Sequence, residues 1–575
     1  MAFESLLNQV GVLGRFQIFQ MALLGLSCLI IYPHIILENF TAAVPDHRCR
    51  VQLLDNATLS INDTEVFSQD DLLKIFIPQD SNLMPEKCRR FVHPQWQLLH
   101  LSERLSSMTE PDTEPCMDGW VYDQKTYPST IVTKWDLVCE SQSLKSVNNF
   151  LFMIGMLIGG IILGYLTDRF GRKLVFRWCV LLLAIAETSA AFVPTFPLYC
   201  TLRFLAGCFT SSILTNSTML IMEWVVPPFQ ALGIVITASC SCISLMILGG
   251  IAFAIRDWFI LQLVYSVPLF FIFLSSRWLA ESARWLIIKN KLEEGLKELK
   301  KVAHANGIKN AGDILTMEVV RTNMQEDIEA VKMKVSMFHL FRTPTMRKRT
   351  FLLCFIRLAI LILFYGLALN IQYVGNNIFL SQVLFGVITL LGNLVGLFLL
   401  NHMGRRVSQM LSFSLVGIFI LTTTFLPEEM YILHQTFLTL GIGMISAVIM
   451  CVISHANELM PTVVRATASG VLGITGNIGG ALGALLMVLR IYSHHLPWIL
   501  YGVIPILCIP VVFFLPETRN QPLPDSIQNV ENQGYSNLDG PKDTGMEIDT
   551  LSSFVSHAKR NLRIFGFPVD HHKQN

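Results

Sequence analysis

Charged side chains are scarce in this chain, and neither sign is in excess. Of its 575 residues only 15% are Asp, Glu, Lys or Arg, and the formal net charge is +1. The sequence contains no G-x-x-x-x-G-K-[ST] loop and no H-E-x-x-H pair, which are the patterns of phosphate-binding loops and zinc proteases. These absences argue against nucleic-acid binding, an ATP-driven pump and a zinc enzyme. The sequence therefore predicts a non-enzyme without cofactor or metal.

Apolar residues are abundant instead. They make up 52% of the chain, the mean hydropathy is +0.51, and a membrane-crossing helix needs about 20 mostly apolar residues in a row. Twelve segments meet that requirement, at about 16–37, 146–166, 174–193, 199–221, 231–254, 259–279, 351–373, 378–400, 409–426, 431–453, 466–489 and 496–515. The sequence predicts an all-α membrane protein, with the lipid bilayer as its surroundings.

The polar segments divide the chain into parts. These are the N-terminus with the first span (1–37), a large loop (38–145), spans two to six (146–279), a second loop (280–350), spans seven to twelve (351–515) and a tail (516–575). Short loops rich in Lys and Arg remain in the cytoplasm. The turns after the second and eighth spans, with Arg172, Lys173, Arg405 and Arg406, are basic. We therefore expect both termini in the cytoplasm and residues 38–145 outside.

One pattern of charged residues occurs twice, about 235 residues apart. The matched positions are 168–173 with 401–406, Glu223 and Gln230 with Glu458 and Arg465, and 281–284 with 517–519. Three ordered matches at one spacing indicate a duplicated unit, and duplicated halves are common in secondary transporters. The sequence predicts two pseudo-symmetric six-helix halves with a substrate site between them.

The outer loop has the composition of a secreted domain. It holds Cys49, Cys88, Cys116 and Cys139, so we expect two disulfides, although the sequence does not choose among three pairings. Sequons begin at Asn56 and Asn62, and both would be glycosylated on the outer side. In the second loop the apolar residues repeat at helical spacing, which predicts amphipathic cytoplasmic helices. The polar tail after residue 516 is predicted to be disordered.

The repeated charges predict a conformational latch, defined as contacts that form in one transport state and break in the other. Asp168 would lie against the positive end of a helix in the other half, and Arg172 would pair with Glu223 or Glu281. Enforcing topology is the alternative role for the basic residues. The predicted latch residues are Gly164, Asp168, Arg169, Gly171, Arg172, Glu223, Glu281, Arg284, Gly404, Arg405, Glu458, Arg465 and Glu517.

Glu187 is an acid inside the third predicted span, where an unpaired carboxylate is costly. Arg203 lies near the start of the next span, one short turn away. With a rise of 1.5 Å per residue, both fall near the outer ends of consecutive helices. We predict that they form an intramembrane ion pair, with a structural role favoured over substrate contact.

Several sequence segments resemble motifs of known families. The residues 164–173, 203–207, 281–286 and 515–518 resemble motifs of the major facilitator superfamily. More specifically, the chain is similar to the organic anion transporters of the solute carrier 22 family, over residues 1 to about 530. The matching segments are 1–3, 14–17, 38–45, 47–49, 120–123 and 133–139.

This resemblance implies a major facilitator fold and facilitated transport or exchange of amphipathic organic anions at a plasma membrane, in kidney or liver epithelium. It also implies aromatic substrate contacts at Phe364 and Tyr365. It matches His34 to a family histidine, which would be either a substrate or proton contact or a helix-packing histidine hydrogen-bonded to the backbone. Reference anion carriers of the family have a lysine in the eighth span and an arginine in the eleventh. This chain has Asn393 and Asn477 there, which predicts a more neutral site for steroid-type or bile-type conjugates and monocarboxylates.

Two alternatives remain open. A carrier of cations or carnitine-like zwitterions is weakly favoured by Glu187 and opposed by the lack of an acid at Asn477. A membrane protein that binds a ligand or partner without transport is favoured by Gln230, where the repeat predicts arginine. The two copies of the latch favour transport, with an organic anion and an exchanged counter-anion as partners.

Overall fold

A computed structural model of the protein describes most of the chain. The described residues are 2–55, 69–79, 84–95, 112–308, 315–332, 338–375, 377–427, 430–461, 463–493, 495–519, 521, 524 and 526–536. The predicted glycosylation sites Asn56 and Asn62 lie outside them.

The described residues include twelve helices long and apolar enough to cross a membrane, one for each predicted span. They are Arg15–Thr41, Cys139–Phe170, Arg172–Phe192, Phe196–Trp224, Leu232–Ala254, Trp258–Trp278, Pro344–Ala368, Ile378–His402, Arg405–Phe425, Ile432–Leu459, Arg465–Arg490 and Leu496–Phe513. We number them in this order as the first to twelfth spans. Most of them extend beyond the apolar segments because polar residues continue the helices towards the membrane surfaces.

The spans pack as two bundles of six. Within the first half the second span packs against the fourth and the third against the sixth, and in the second half the eighth span packs against the tenth and the ninth against the twelfth. The halves meet where the second span contacts the eleventh and the fifth contacts the eighth. The pseudo-symmetric architecture predicted from the repeat is confirmed.

The two halves are in contact at the ends of the spans that carry the 38–145 loop. Following the topology predicted from the sequence, we name these the outer ends and the opposite ones the cytoplasmic ends. The Asn39 side chain donates a 2.7 Å hydrogen bond to the carbonyl of Ala368, and the rings of Phe40 and Phe379 stack with centroids 5.6 Å apart. Lys145 bridges the halves as well, with Nζ 2.9 Å from Oε1 of Gln372. We call these three contacts the outer gate.

The cytoplasmic ends of the second and eleventh spans are less crowded. Within the described part of the chain, a Cβ placed on Gly164, Gly470 or Gly473 would meet no atom within 4 Å. Asp168, at the cytoplasmic end of the second span, has 73% of its side chain exposed. The described contacts between the halves therefore include the outer ends of the spans, while these three glycines and Asp168 at the opposite ends are not packed against the other half.

The outer loop forms a small domain with two disulfides, Cys49–Cys116 and Cys88–Cys139. Two antiparallel strand pairs shape it, His47–Cys49 with Trp120–Tyr122 and Arg89–Phe91 with Thr113–Pro115. Its described helices are Gln52–Asp55, Gln69–Phe76 and Ile131–Trp135. The domain packs on the first half through Trp135, whose ring lies 5.4 Å from Tyr199 and 6.3 Å from Trp258.

The cytoplasmic loop contains the predicted amphipathic helices. The helices Ala283–Ile288, Leu292–Ala305 and Met317–Lys332 bury an apolar face against the N-terminal helix Ala2–Val10. Asn306 joins the two segments, because its Oδ1 accepts the N–H of Phe16 at 3.0 Å and its Nδ2 donates to the carbonyl of Val10 at 2.9 Å. A short helix, His339–Arg342, precedes the seventh span.

The prediction of disorder from residue 516 is wrong for the first part of the tail. A helix at Ile527–Ser536 packs on the seventh span, with Val530 fully buried. Oε1 of Glu531 accepts the backbone N–H groups of Thr345 and Met346 at 3.1 and 3.2 Å. These are unpaired donors of the first helical turn, so the carboxylate caps the seventh span. Composition alone did not reveal this partner.

Candidate functional site

The predicted aromatic pair lies in the seventh span, at the interface between the halves. The rings of Phe364 and Tyr365 are 5.4 Å apart, and Phe364 is 5.9 Å from Phe385 of the eighth span. Both side chains are half-buried. Gly480 of the eleventh span faces the ring of Tyr365, and a Cβ there would lie 2.8 Å from Cδ2. The aromatic rings therefore lie where the seventh, eighth and eleventh spans meet.

Arg357 lies about two helical turns from this pair, towards the cytoplasm. Its Nη1 is buried and has no hydrogen-bond partner in the described part of the chain, where no carboxylate lies within 4.0 Å of its guanidinium. Gly476 of the eleventh span makes room for it, since a Cβ at that position would lie 3.3 Å from Nε of Arg357. A buried cation therefore lies on the same helix as the aromatic pair, about two turns away.

The sequence analysis, which predicted a more neutral site, did not single out this cation. The sequence analysis compared only the eighth and eleventh spans with the family, and it matched their charged positions to Asn393 and Asn477. The charge comes instead from Arg357 in the seventh span. Arg357 lies next to Gly476, the residue that precedes Asn477 in the eleventh span. The sequence feature that could have identified this cation is the presence of an arginine inside the apolar segment 351–373.

The two asparagines lie at the contacts between the halves. Nδ2 of Asn477 would be 3.9 Å from a Cβ on Gly160 of the second span. Nδ2 of Asn393 is 3.7 Å from Sγ of Cys242 in the fifth span. Both side chains are half-buried. The structure thus places Asn477 at the contact between the second and eleventh spans and Asn393 at the contact between the fifth and eighth spans.

The Glu187 carboxylate and the Arg203 guanidinium lie together, as the sequence predicted. Nη1 of Arg203 donates a 2.7 Å hydrogen bond to Oε1 of Glu187, and both side chains are at most 1% exposed. The other carboxylate oxygen accepts a hydrogen bond from Gln262. Nη2 of Arg203 donates to the carbonyl of His34 at 3.1 Å.

His34 belongs to this cluster and does not line an open cavity. Its side chain is fully buried, with Nδ1 3.6 Å from Oε1 of Glu187. Its Nε2 lies 3.3 Å from the carbonyl of Tyr265. The structure therefore places the family histidine among helix-packing contacts.

Two further charged residues extend the cluster, and the sequence analysis did not single them out. Glu38 is 1% exposed and lies 3.8 Å from Nε of Arg203, and it also accepts a hydrogen bond from Asn148. Lys145, 6% exposed, interacts electrostatically with Glu38. Two acids and two bases are buried together, so their formal charges cancel at the outer end of the first half.

The latch residues of the first half converge on the start of the third span. The carboxylate of Glu281 accepts the backbone N–H groups of Arg172 and Lys173 at 3.0 and 3.2 Å. Nε of Arg172 is 3.4 Å from Glu223. Gly171 has φ of +109°, a conformation that favours glycine. Burial raises the pKa of the Glu281 carboxyl above its usual value despite these hydrogen bonds.

The second half repeats this arrangement with more hydrogen bonds. The carboxylate of Glu517 accepts the backbone N–H groups of Arg405 and Arg406 at 2.8 and 3.0 Å. Arg405 donates to both oxygens of Glu458, with Nε 2.9 Å from Oε2 and Nη2 3.0 Å from Oε1. Gly404 precedes the helix. Burial acts to raise the pKa of Glu517, but the backbone hydrogen bonds outweigh it and the pKa is lowered.

Three latch predictions have a different geometry. Asp168 lies 3.2 Å from Arg172 of its own half, and the expected contact with the other half is not seen among the described residues. Arg169 is exposed and lies over the ring of Phe170 at 5.6 Å, and Arg284 is exposed at the start of a cytoplasmic helix.

Gln230 replaces the arginine expected from the repeat without losing the backbone contact. Its Nε2 donates to the carbonyls of Met222 and Val225 at 3.0 and 3.2 Å. Arg465 donates to the equivalent carbonyl, that of Met460, at 3.3 Å from Nη2. The cytoplasmic ends of the fourth and tenth spans are therefore held in the same way in both halves.

Comparisons with known proteins agree with this geometry. The family model of the Major Facilitator Superfamily matches residues 140–484. Human solute carrier family 22 member 25 is 56% identical over 542 residues, covering 94% of this chain and 99% of that protein. The human steroid transmembrane transporter SLC22A24 is 55% identical, covering 92% and 96%. The inward-open xylose transporter XylE from E. coli superposes with a TM-score of 0.54 at 16% identity, covering 70% of this chain and 93% of that one.

Proposed function

This chain belongs to solute carrier family 22 of the major facilitator superfamily, and on that premise we propose that it carries amphipathic organic anions. It is a membrane transporter and not an enzyme. The proposed substrates are steroid-type or bile-type conjugates and monocarboxylates, moved by facilitated transport or in exchange for a counter-anion.

The observation that supports an anionic substrate is Arg357. A charged side chain in the middle of a membrane is costly unless it is paired or faces a polar cavity. Arg357 has no carboxylate partner among the described residues, and its buried Nη1 lacks a hydrogen-bond acceptor. A carboxylate or sulfate group of a substrate would supply both the opposite charge and the acceptor.

The surroundings of Arg357 favour a substrate with a large apolar body. Phe364 and Tyr365 lie about two turns further along the same helix, at a rise of 1.5 Å per residue. An extended amphipathic anion would place its charge at Arg357 and its rings against these aromatics. One relative's name describes a steroid transporter, and steroid conjugates have this shape.

Transport requires that the site be reached from each side in turn. The outer gate is closed in the present conformation, so we propose that the site is reached from the cytoplasm in this state. The observed contacts of Glu281 and Glu517 join the ends of spans within each half, so each half can rotate as one body. An exchange mechanism needs only that a loaded carrier reorients more readily than an empty one.

We also propose the location and topology implied by the sequence. The protein lies in the plasma membrane of kidney or liver epithelium with both termini in the cytoplasm, and Asn56 and Asn62 carry glycans. Glycosidase treatment should lower the apparent mass of the wild type but not of a variant with both Asn56→Gln and Asn62→Gln. Staining of a C-terminal epitope on intact cells would contradict this topology.

The two alternatives are less well supported. A cationic substrate would be repelled by Arg357, and the Glu187 carboxylate already forms an ion pair with Arg203. A protein that only binds ligand would not need the latch contacts that both halves retain, and Gln230 keeps its backbone contact. We therefore favour anion transport over both alternatives.

The test is uptake by cells that express Arg357→Gln. The substrate panel is estrone sulfate, taurocholate, butyrate, tetraethylammonium and carnitine. We expect the wild type to accumulate one or more of the anions. The variant should lose about tenfold or more of that uptake, because a charge-assisted hydrogen bond contributes about 1.5–3 kcal/mol.

Arg347→Gln is the matched control, since Arg347 is exposed at the cytoplasmic end of the same helix. It should leave uptake per surface molecule unchanged. Arg357→Lys should retain part of the activity because the charge is kept while the planar geometry is lost. Accumulation of tetraethylammonium or carnitine alone would refute the anion proposal.

A further inference from the structure

Three cationic residues lie together at the cytoplasmic ends of the third and sixth spans, which pack against each other. Arg177 is about one and a half turns into the third span. Its guanidinium lies 4.9 Å from the centroid of the Phe273 ring in the sixth span. Lys173, at the start of the third span, donates from Nζ to the carbonyl of Arg277 at 3.2 Å. Two packed helices therefore bring these cations to one place.

The acids near this group already have partners. Lys173 interacts electrostatically with two further cations, Arg177 and Lys301, and with two acids, Glu281 and Glu298. The Glu281 carboxylate accepts the backbone N–H groups at the start of the third span. Glu298 lies 3.7 Å from Nζ of Lys301 on the same cytoplasmic helix. The group therefore keeps an excess of positive charge.

The two arginines of the group are next to the lipid. Within the described part of the chain, neither Arg177 nor Arg277 forms an ion pair with a carboxylate. Each is followed by an exposed tryptophan, since Trp178 is 54% and Trp278 is 69% exposed. Exposed tryptophans near the end of a membrane span lie at the level of the lipid headgroups. The arginines are therefore at the same level.

The second half of the chain does without these arginines. At the offsets of the repeated segments, Met410 stands opposite Arg177, and Phe513 stands opposite Arg277. The Phe513 ring lies 4.1 Å from the guanidinium of Arg406, in the repeated basic turn. A half of the same fold therefore keeps its basic turn without them, so neither the fold nor the topology requires the two arginines.

We propose that the cytoplasmic ends of the third and sixth spans bind the headgroup of an anionic phospholipid, with Arg177 and Arg277 as the contacts to its phosphate. Basic pockets between membrane helices on the cytoplasmic side bind such headgroups. A guanidinium also matches phosphate geometry through paired hydrogen bonds. Lys301 extends the site to the helix Leu292–Ala305, so a bound lipid joins this helix to the bundle.

This inference goes beyond the proposed transport activity and does not depend on it. It requires only that these ends of the spans meet the membrane surface. A soluble phosphorylated metabolite shares the chemistry of the headgroup but has no acyl chains to lie along the exposed faces of the two spans. The test therefore compares the lipid with its free headgroup.

The test is native mass spectrometry of the full-length protein in detergent micelles that contain equal amounts of phosphatidylserine and phosphatidylcholine. We expect the wild type to retain phosphatidylserine in about tenfold excess or more, because each arginine near a membrane surface favours an anionic lipid by about fivefold. The variant with Arg177→Met and Arg277→Phe, which carries the residues of the second half, should lose this excess.

The matched control is Arg342→Gln with Arg347→Gln, since both are exposed cations on the same side of the membrane, before and at the start of the seventh span. It should retain the excess. If the double variant does not fold, Arg277→Gln decides, because Arg277 is exposed and its loss should reduce the excess by about fivefold.

Glycerophosphoserine, the headgroup without acyl chains, should displace none of the retained lipid at equal concentration. No excess of phosphatidylserine in the wild type, an equal excess in the arginine variants, or displacement by glycerophosphoserine would overturn the proposal.

Discussion

At the scale of single residues, burial of charge in the membrane determines which side chains must lie together. Glu187, Arg203, Glu38 and Lys145 are all at least nine-tenths buried. An isolated ion there would be costly, so each is stable only beside the others. The cluster joins the first four spans and the sixth through His34, Gln262 and Asn148 (hydrogen-bonded to Arg203, Glu187 and Glu38 respectively).

Glu187→Gln should therefore reduce the amount of folded protein at the cell surface. Breaking a buried pair by removing one partner typically costs about 3–5 kcal/mol, because the remaining charge is uncompensated. Adding Arg203→Gln should recover part of the loss. Surface biotinylation measures both, with Glu294→Gln as a control because Glu294 pairs with Lys291 at the surface. Strictly additive losses in the double variant would contradict the coupling.

The sequence predicted this pair because two charges stood in consecutive apolar segments with a short turn between them. It did not predict Glu38 and Lys145, since both lie at the edges of spans, where a charge normally reaches water. Arg357 is a charged residue within an apolar segment of the sequence, but the resemblance to the family predicted substrate contacts on the eighth and eleventh spans instead. That Arg357 has no acidic partner among the described residues can only be known once the twelve helices are packed.

At the scale of secondary-structure elements, the predictions from the sequence agree best with the structure at the N-termini of the third and ninth spans. Glu281 and Glu517 accept the first N–H groups of the third and ninth spans in the same way. The repeat in the sequence predicted this equivalence. The tail helix was not predicted because it depends on a distant partner: Glu531 caps a helix that begins 187 residues earlier, at Pro344. The spacing of apolar residues in the tail indicates local helix formation but not contacts with distant segments.

Asp168 is a latch residue that pairs with Arg172 of its own half in this conformation, whereas the predicted contact with the other half is not seen among the described residues. We expect Asp168→Ala to reduce the turnover of a transported substrate without changing its affinity, because the substrate contacts stay intact while the outward-facing state loses a contact. A charge-assisted contact of about 1.5–3 kcal/mol shifts a two-state population by roughly ten- to hundredfold.

The maximal uptake rate per surface molecule measures this effect. Asn401→Ala, at the equivalent position of the second half, is the control for loss of a polar side chain there, and it should change the rate less. Unchanged maximal uptake by Asp168→Ala at normal surface expression would remove Asp168 from the latch.

At the scale of the whole molecule, the outer domain belongs mechanically to the first half. Trp135 packs on Tyr199 and Trp258, and Nζ of Lys134 donates to the carbonyl of Val193 at 2.8 Å. Tyr127 extends from this domain to Phe379 of the second half, with ring centroids 5.9 Å apart. Opening the outer gate must therefore separate Phe379 from both Phe40 and the outer domain.

The outer gate should open more often when its hydrogen bond is removed. Asn39→Ala loses the 2.7 Å bond to the carbonyl of Ala368, and the outward-open population should rise because only the closed state makes that contact. Leaving a buried carbonyl unpaired costs about 1–3 kcal/mol, which corresponds to roughly a five- to hundredfold change in the population ratio.

Cys242 reports this change because it is 1% exposed and contacts Asn393 at the interface between the halves. A membrane-impermeant maleimide added outside intact cells should label Cys242 more in Asn39→Ala than in the wild type, as measured by peptide mass spectrometry. Asn370→Ala is the matched control, because the Asn370 amide donates to Gly366 within its own half. Equal labelling in the two variants would show that the Asn39 bond does not hold the outer gate closed.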